Sequence, residues 1–185
     1  QRILEAAAVE FAERGIEGAR IEQVAQRSGV TKQLIYYYFQ TKAQLYEAAL
    51  DAISQRAVEE ILALRFDILS PLAGIELLFQ SIFDQYRTRR YLAMLTLDQN
   101  VHGCAHVSRR GDLRRSTPLI VAEFSKLIER GVARGDIRAG IDPQCYFAFA
   151  FVMLTGCFFT GPTLSVYINR DFTSEQGIAA WGRNA

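Results

Sequence analysis

Residues 20–46 read RIEQVAQRSGVTKQLIYYYFQTKAQLY, and the fold turns on this stretch. Ile21, Val24 and Ala25 share one face of a short helix over about 21–28, and Gly29 follows where a left-handed backbone can end it. Val30 can plug the turn. Thr31 is placed to cap a second helix, its hydroxyl accepting a free N–H of the first turn. Helix, tight glycine turn and amphipathic helix together make a helix-turn-helix, whose second helix can enter the major groove of duplex DNA. At 100° per residue, 32–39 turns Ile35, Tyr38 and Phe39 to one side and Gln33 and Tyr37 away from it, with Lys32, Leu34 and Tyr36 flanking.

The outer set has the chemistry of a reading face. Gln33 can pair bidentately with adenine and Leu34 can touch a thymine methyl, while Thr31, Lys32, Tyr36 and Tyr37 can reach phosphates. Lys42 opens the next helix, where its ammonium and free backbone N–H groups can hold another phosphate. The whole chain of 185 residues carries a formal charge of only +1, which argues against a generally basic coat. Between Arg20 and Tyr46, however, Arg20, Arg27, Lys32 and Lys42 stand against Glu22 alone, a local excess of +3.

Outward from this stretch the apolar spacing stays helical, so the chain reads as all-α. Ile3, Leu4, Ala7, Ala8, Phe11 and Ala12 mark a first helix that Gly15 can end. A long fourth helix from Lys42 carries Leu45, Ala49, Ile53, Ala57, Ile61 and Leu64. Further helices are predicted at about 71–88, 91–102, 118–134, 143–160 and from 174 onward, with a Gly- and Arg-rich connection at 103–116. With 50% hydrophobic and 22% charged residues, the chain can bury a sizeable core. The stretch Cys145–Phe159 falls short of the roughly 20 residues of a membrane helix, and Gly161-Pro162 is expected to end it. No signal peptide is visible, Gln1 already sits inside a helical pattern, and Cys104, Cys145 and Cys157 form no CxxC pair, so a reducing cytoplasm is expected.

Val24-Ala25, Ser28-Gly29-Val30-Thr31, the Tyr36-Tyr37-Tyr38-Phe39 run and Lys42 to Leu45 resemble the N-terminal signature of the TetR family of transcriptional regulators. Two positions depart from it: Ala19-Arg20 stands where Thr or Ser often begins the second helix, and Leu34 where a small residue is common. Arg20 can replace the phosphate contact. The resemblance implies an N-terminal three-helix DNA-binding domain (1–46) and a C-terminal helical ligand-binding and dimerisation domain (47–185). It also implies a homodimer paired through its last two long helices, by residues such as Cys145, Phe149, Val152, Phe159, Ile178 and Trp181. Pro118-Leu119-Ile120, Gly131 to Ile137, Asp142-Pro143, Thr163-Leu164-Ser165 and Arg170-Asp171 are similar to the subgroup that includes the pyrimidine-utilisation regulator. The implied function is that of a ligand-responsive repressor on a near-palindromic operator; an activator, or a regulator without a small effector, is the alternative.

Within the C-terminal part, Phe79, Phe83 and Tyr86 on one predicted face and Phe147, Phe151 and Phe158 on another serve core packing or an apolar ligand cavity. Phe83, Tyr86, Leu97, Val101, His102, Leu127 and Phe151 are the candidate effector contacts. His102 and His106 have the spacing of a metal pair on a helix, but no third ligand is arranged beside them, and no metal or cofactor is expected. Arg87, Arg89, Arg90, Arg109, Arg110, Arg114 and Arg115 suit an anionic effector, DNA or, more often, a solvated surface. Cys145 and Cys157 lie on an apolar helix and are expected to be buried and inert. Neither GxSxG nor a Walker lysine occurs; a catalytic alternative would need a site around Asp98, His102 and His106.

Overall fold

Gly15 adopts φ 65°, a left-handed conformation that breaks the first helix without ending it, so Ile16 still reaches the core. The computed structural model describes residues 1–104 and 112–185, all-helical with short connections. The helices are α1 (Arg2–Gly18), α2 (Ile21–Ser28), α3 (Lys32–Phe39), α4 (Lys42–Leu62), α5 (Pro71–Thr88), α6 (Arg90–Val101), α7 (Asp112–Arg134), α8 (Pro143–Ile168) and α9 (Glu175–Asn184), with a 3-10 turn at Phe66–Ile68. His106, Arg109 and Arg110 lie outside the described residues.

Two compact units result: Gln1–Val58 with Tyr91–Ser116, and Glu59–Arg90 with Thr117–Ala185. In the first, α1 packs on α2 and α2 on α3. Its core gathers Ala7, Ala8, Phe11, Val24, Ile35, Leu45 and Ala49, as the helical spacing predicts. The Phe11 and Tyr46 rings meet edge to face at 4.9 Å. Buried Tyr46 donates its hydroxyl to the carboxylate of Asp98 on α6. Burial first, then that carboxylate, pushes the phenol well above its ordinary pKa.

In the second unit α5 packs on α8, and α8 on α9. Phe79 meets Phe124 of α7 and Phe147 of α8 at ring distances of 5.6 and 5.7 Å. Gly74 admits Leu127 where a Cβ would lie 2.6 Å from its Cδ2. Arg130 donates to the carbonyls of Phe66 (3.0 Å) and Leu69 (2.6 Å), satisfying the 3-10 turn that precedes α5. Side-chain caps start three helices: Ser70 accepts from the Ala73 N–H, Asp142 from those of Gln144 and Cys145, and Ser174 from that of Gly177.

Two boundaries correct the sequence reading. The seventh helix begins at Asp112, so the connection is shorter than 103–116 and Pro118 lies inside the helix. A proline there omits one backbone bond without starting the helix. The eighth continues through Gly161-Pro162 to Ile168. Gly161 is buried against the Phe172 backbone, so the pair marks a close approach, and the stop comes at Asn169 in the left-handed region. At 26 residues α8 is therefore, among the described residues, the one helix long and apolar enough to cross a bilayer. Cys157 on it is buried, whereas Cys145 is exposed in the protomer, against the expectation of burial.

Candidate DNA-reading face and C-terminal cavity

Helix α3 is eight residues long, and of these only Ile35 is fully buried. Gln33, Lys32, Leu34 and Tyr36 are exposed, and Tyr37 is 77% exposed. Tyr38 corrects the helical-wheel assignment: it lies 62% exposed, its ring against Tyr37 (5.2 Å) and Phe39 (6.3 Å), and does not enter the core. In so short a helix one apolar residue and half-buried Phe39 suffice to dock the inner face, leaving the third tyrosine on the rim.

Thr31 caps the helix as predicted, its Oγ accepting the Leu34 N–H at 3.2 Å. Lys32 forms an ion pair with Glu22 of α2 and lies 5.7 Å from the Tyr36 ring centroid. Hydrogen bonding to Lys32 holds the Glu22 carboxyl below its ordinary range, and the same bond raises the ammonium. The Lys42 ammonium donates to the carbonyls of Glu17 (2.9 Å) and Ala19 (3.4 Å), tying the start of α4 to the end of α1. Arg20 is exposed and precedes α2 without capping it through its side chain.

A residue the sequence reading passed over lies behind this face. Glu10 is on α1 among the core positions, its side chain 0% exposed. Its Oε1 accepts the Arg20 N–H (3.2 Å) and lies 3.3 Å from Arg14 Nε; its Oε2 lies 3.7 Å from Arg27 Nε. The available signal was a carboxylate on the stripe that holds Ala7 and Phe11.

In the second unit, α5, α8 and α9 border a cavity of about 740 Å³. Phe79, Phe83, Tyr146, Phe149, Met153 and Leu154 supply apolar wall; Glu76, Gln80, Asp84, Arg87, Glu175 and Arg183 supply polar edges. Of the predicted effector residues, Phe83 lines it. Tyr86 and Phe151 meet each other at 5.9 Å, half-buried, and Leu127 is buried. In the first unit, Leu97, Val101 and His102 are exposed on and just after α6, His102 Nδ1 lying 2.8 Å from the Asp98 carbonyl. A second hollow, about 530 Å³, is bordered by Val152, Phe159 and Trp181, all named as pairing residues. Phe149 and Val152 are exposed, whereas Ile178 packs with Phe83 and Cys157 inside the protomer. Among the described residues no three His, Cys, Asp or Glu side chains gather as a metal site.

Residues 3–49 match the family model of bacterial regulatory proteins of the tetR family, and 71–185 match the tetracyclin repressor-like C-terminal domain. The chain belongs to the TetR family of transcriptional regulators. It is 29% identical to the transcriptional repressor NicS of Pseudomonas putida over 183 residues, 97% of this chain and 84% of that one. It is 33% identical to the transcriptional regulator RutR of Escherichia coli K12 over 144 residues, 77% and 65% of the two chains. The solved structure of SCO4942 from Streptomyces coelicolor superposes with a TM-score of 0.69 at 20% identity, covering 100% of this chain and 92% of that one. The family is one of DNA-binding regulators and not of enzymes. The helix-turn-helix of this TetR-family chain is thus α2, the Gly29 turn and α3.

Proposed function

We propose that this TetR-family regulator is a cytoplasmic homodimeric repressor that a small-molecule effector releases from a near-palindromic double-stranded DNA operator. Residues 1–46 form its DNA-binding part, and 47–185 its ligand-binding and dimerisation part. The observation that carries this reading is the outward side of α3, where Gln33 and Tyr37 stand clear of the protomer core. Gln33 reads adenine, Leu34 meets a thymine methyl, and Arg20, Thr31, Lys32, Tyr36, Tyr37 and Lys42 hold phosphates. Lys32 exchanges Glu22 for a phosphate on binding.

An operator with two-fold symmetry matches a dimer with two-fold symmetry, one α3 to each of two successive major grooves. Phe149, Val152, Phe159 and Trp181 are the proposed pairing surface. Phe83 is the proposed apolar contact for the effector in the cavity between α5, α8 and α9, and Tyr86, Leu127 and Phe151 pack in the same unit without lining it. An effector that binds better when the two reading helices are spaced unsuitably for B-form DNA shifts the population away from the operator-bound form. Full switching requires about 5.5 kcal/mol of discrimination between the two forms. The repressor name of NicS supports the direction of regulation.

Selection of bound duplexes from random DNA, followed by a screen of metabolites for release, tests both halves. With Gln33→Ala, affinity for the selected site falls by about 1–3 kcal/mol and one base position relaxes. An unchanged selected sequence would remove Gln33 from the base contacts.

A further inference from the structure

Helix α2 has no cap of its own. Arg20 is its N-cap residue, and its side chain makes no capping bond. An arginine also lacks the acceptor oxygen that Ser, Thr, Asp or Asn would bring. What stands at that helix end instead is the carboxylate of Glu10, ten residues earlier on α1, with no exposure to solvent and Oε1 on the Arg20 N–H at 3.2 Å. In a capping box, a Glu or Gln three residues into the helix makes this same bond back to the N-cap N–H. Here it arrives from a different helix, and with it a negative charge at the positive end of the α2 dipole.

The same side chain also engages the other end of α2. Arg27, in its last turn, places Nε 3.7 Å from Glu10 Oε2 and its two terminal nitrogens on Glu13, at 3.2 and 2.5 Å. Oε2 takes no hydrogen bond among the described residues, and the carboxylate's charge is met by Arg27 at that distance and by Arg14 Nε, 3.3 Å from Oε1. Both ends of α2 are therefore tied to α1 through one buried anion. Ser28 continues the line, its hydroxyl bonded to the Val24 carbonyl at 2.6 Å just before the Gly29 turn into α3.

We propose that Glu10 is a positioning residue for DNA recognition: its carboxylate serves as the N-terminal cap of α2 from α1 and thereby sets the angle at which α3 is presented. The inference rests on the reading of α3 as the DNA-contacting helix. It predicts that the acceptor oxygen at this position matters more than the charge.

The test compares Glu10→Leu, Glu10→Gln, Arg20→Ser and the double variant Glu10→Leu/Arg20→Ser, all as full chains. Two readouts are taken well below each variant's own melting temperature: affinity for the duplex selected by the wild type, and hydrogen exchange of the Arg20 amide and the first turn of α2. Glu10→Leu is expected to expose the Arg20 amide to exchange and weaken binding about five- to tenfold. Glu10→Gln keeps an amide oxygen on Arg20 and is expected within about threefold of wild type. Arg20→Ser places an S-x-x-Q capping box at 20–23, so in that background Glu10→Leu costs no more than about twofold. Equal losses in Glu10→Gln and Glu10→Leu, or the same Glu10→Leu loss with and without Arg20→Ser, would overturn the proposal. If Glu10→Leu does not fold, Glu10→Gln and the double variant decide it by the same ratios. Wild type that binds no selected duplex refutes the reading of α3 instead, and an Arg20 amide in fast exchange in that wild type refutes the cap.

Discussion

Single side chains in this protein carry two duties, and measurements can separate them. Lys42 is one. As a phosphate ligand its loss lowers affinity evenly across sequences and reduces the salt slope by about one. As a donor to the Glu17 and Ala19 carbonyls it also joins α4 to α1, so Lys42→Ala should lower stability by about 1.5–3 kcal/mol in the absence of DNA. Salt titration and thermal unfolding read the two duties independently; a lowered melting point with an unchanged salt slope assigns Lys42 to the tether alone. Tyr46→Phe is the complementary case: it keeps the edge contact with Phe11 and removes the hydroxyl donated to Asp98, so thermal unfolding should show a loss of about 1–3 kcal/mol. Neither partner was legible beforehand, because Asp98 lies 52 positions away from Tyr46 and no local pattern pairs them. Glu10 was hidden for the opposite reason. A carboxylate between core positions breaks the apolar pattern without naming the arginine and backbone amide that compensate it. Gln33 and Tyr37 were legible because their exposure follows from helical geometry alone.

At the scale of elements, helices with a cap and a clear apolar stripe were readable to the residue, and those with internal prolines were not. Pro71 opens α5 and Gly29 ends α2 where the sequence placed these boundaries. Pro162 misled, because the apolar contacts of α8 on α5 and α9, several half-buried aromatic rings among them, outweigh one missing backbone bond of roughly 3 kcal/mol. The turn that does end α8 is held by Asp171, whose Oδ1 accepts from the Thr173 N–H and hydroxyl at 2.7 Å each and from the Ser174 N–H at 3.2 Å. These bonds, led by the Thr173 hydroxyl, hold the Asp171 carboxyl down to about 2. A depressed carboxylate stabilises the folded state fully above its unfolded value near 4 and loses that contribution as pH falls toward 2. The start of α9 should thus keep its amide protection down to about pH 4, then lose it, and Asp171→Asn should remove the pH dependence there. Gly177 closes the same turn: a Cβ on it would lie 2.0 Å from the Asp171 carbonyl oxygen, so Gly177→Ala should cost about 1–3 kcal/mol or more.

For the molecule as a whole, the unpartnered apolar surface of α8 is the feature a single protomer leaves unexplained. Its most apolar window is only 17% buried, and Phe149, Val152, Met153, Val166 and Tyr167 are all more than half exposed. At 100° per residue these five positions fall within about 140° of one another, a stripe on one side of the helix rather than a coat around it. A bilayer would favour an apolar circumference. A stripe backed by Cys157 and Thr155 in the protomer interior suits one flat partner, and a second copy supplies an equal stripe by symmetry. Val152→Glu tests this at the centre of the stripe. In a symmetric pair the substitution places two carboxylates into one apolar contact, each costing several kcal/mol if left uncompensated, so the dimer constant should weaken at least a hundredfold. Sedimentation should then show a folded protomer with unchanged helical content, and affinity for the full operator should fall with it, because two half-sites no longer bind as one event. A half-site duplex should lose little, since α3 is untouched. A variant that stays dimeric, or that loses half-site and full-site binding alike, would show that this stripe faces something other than a second copy.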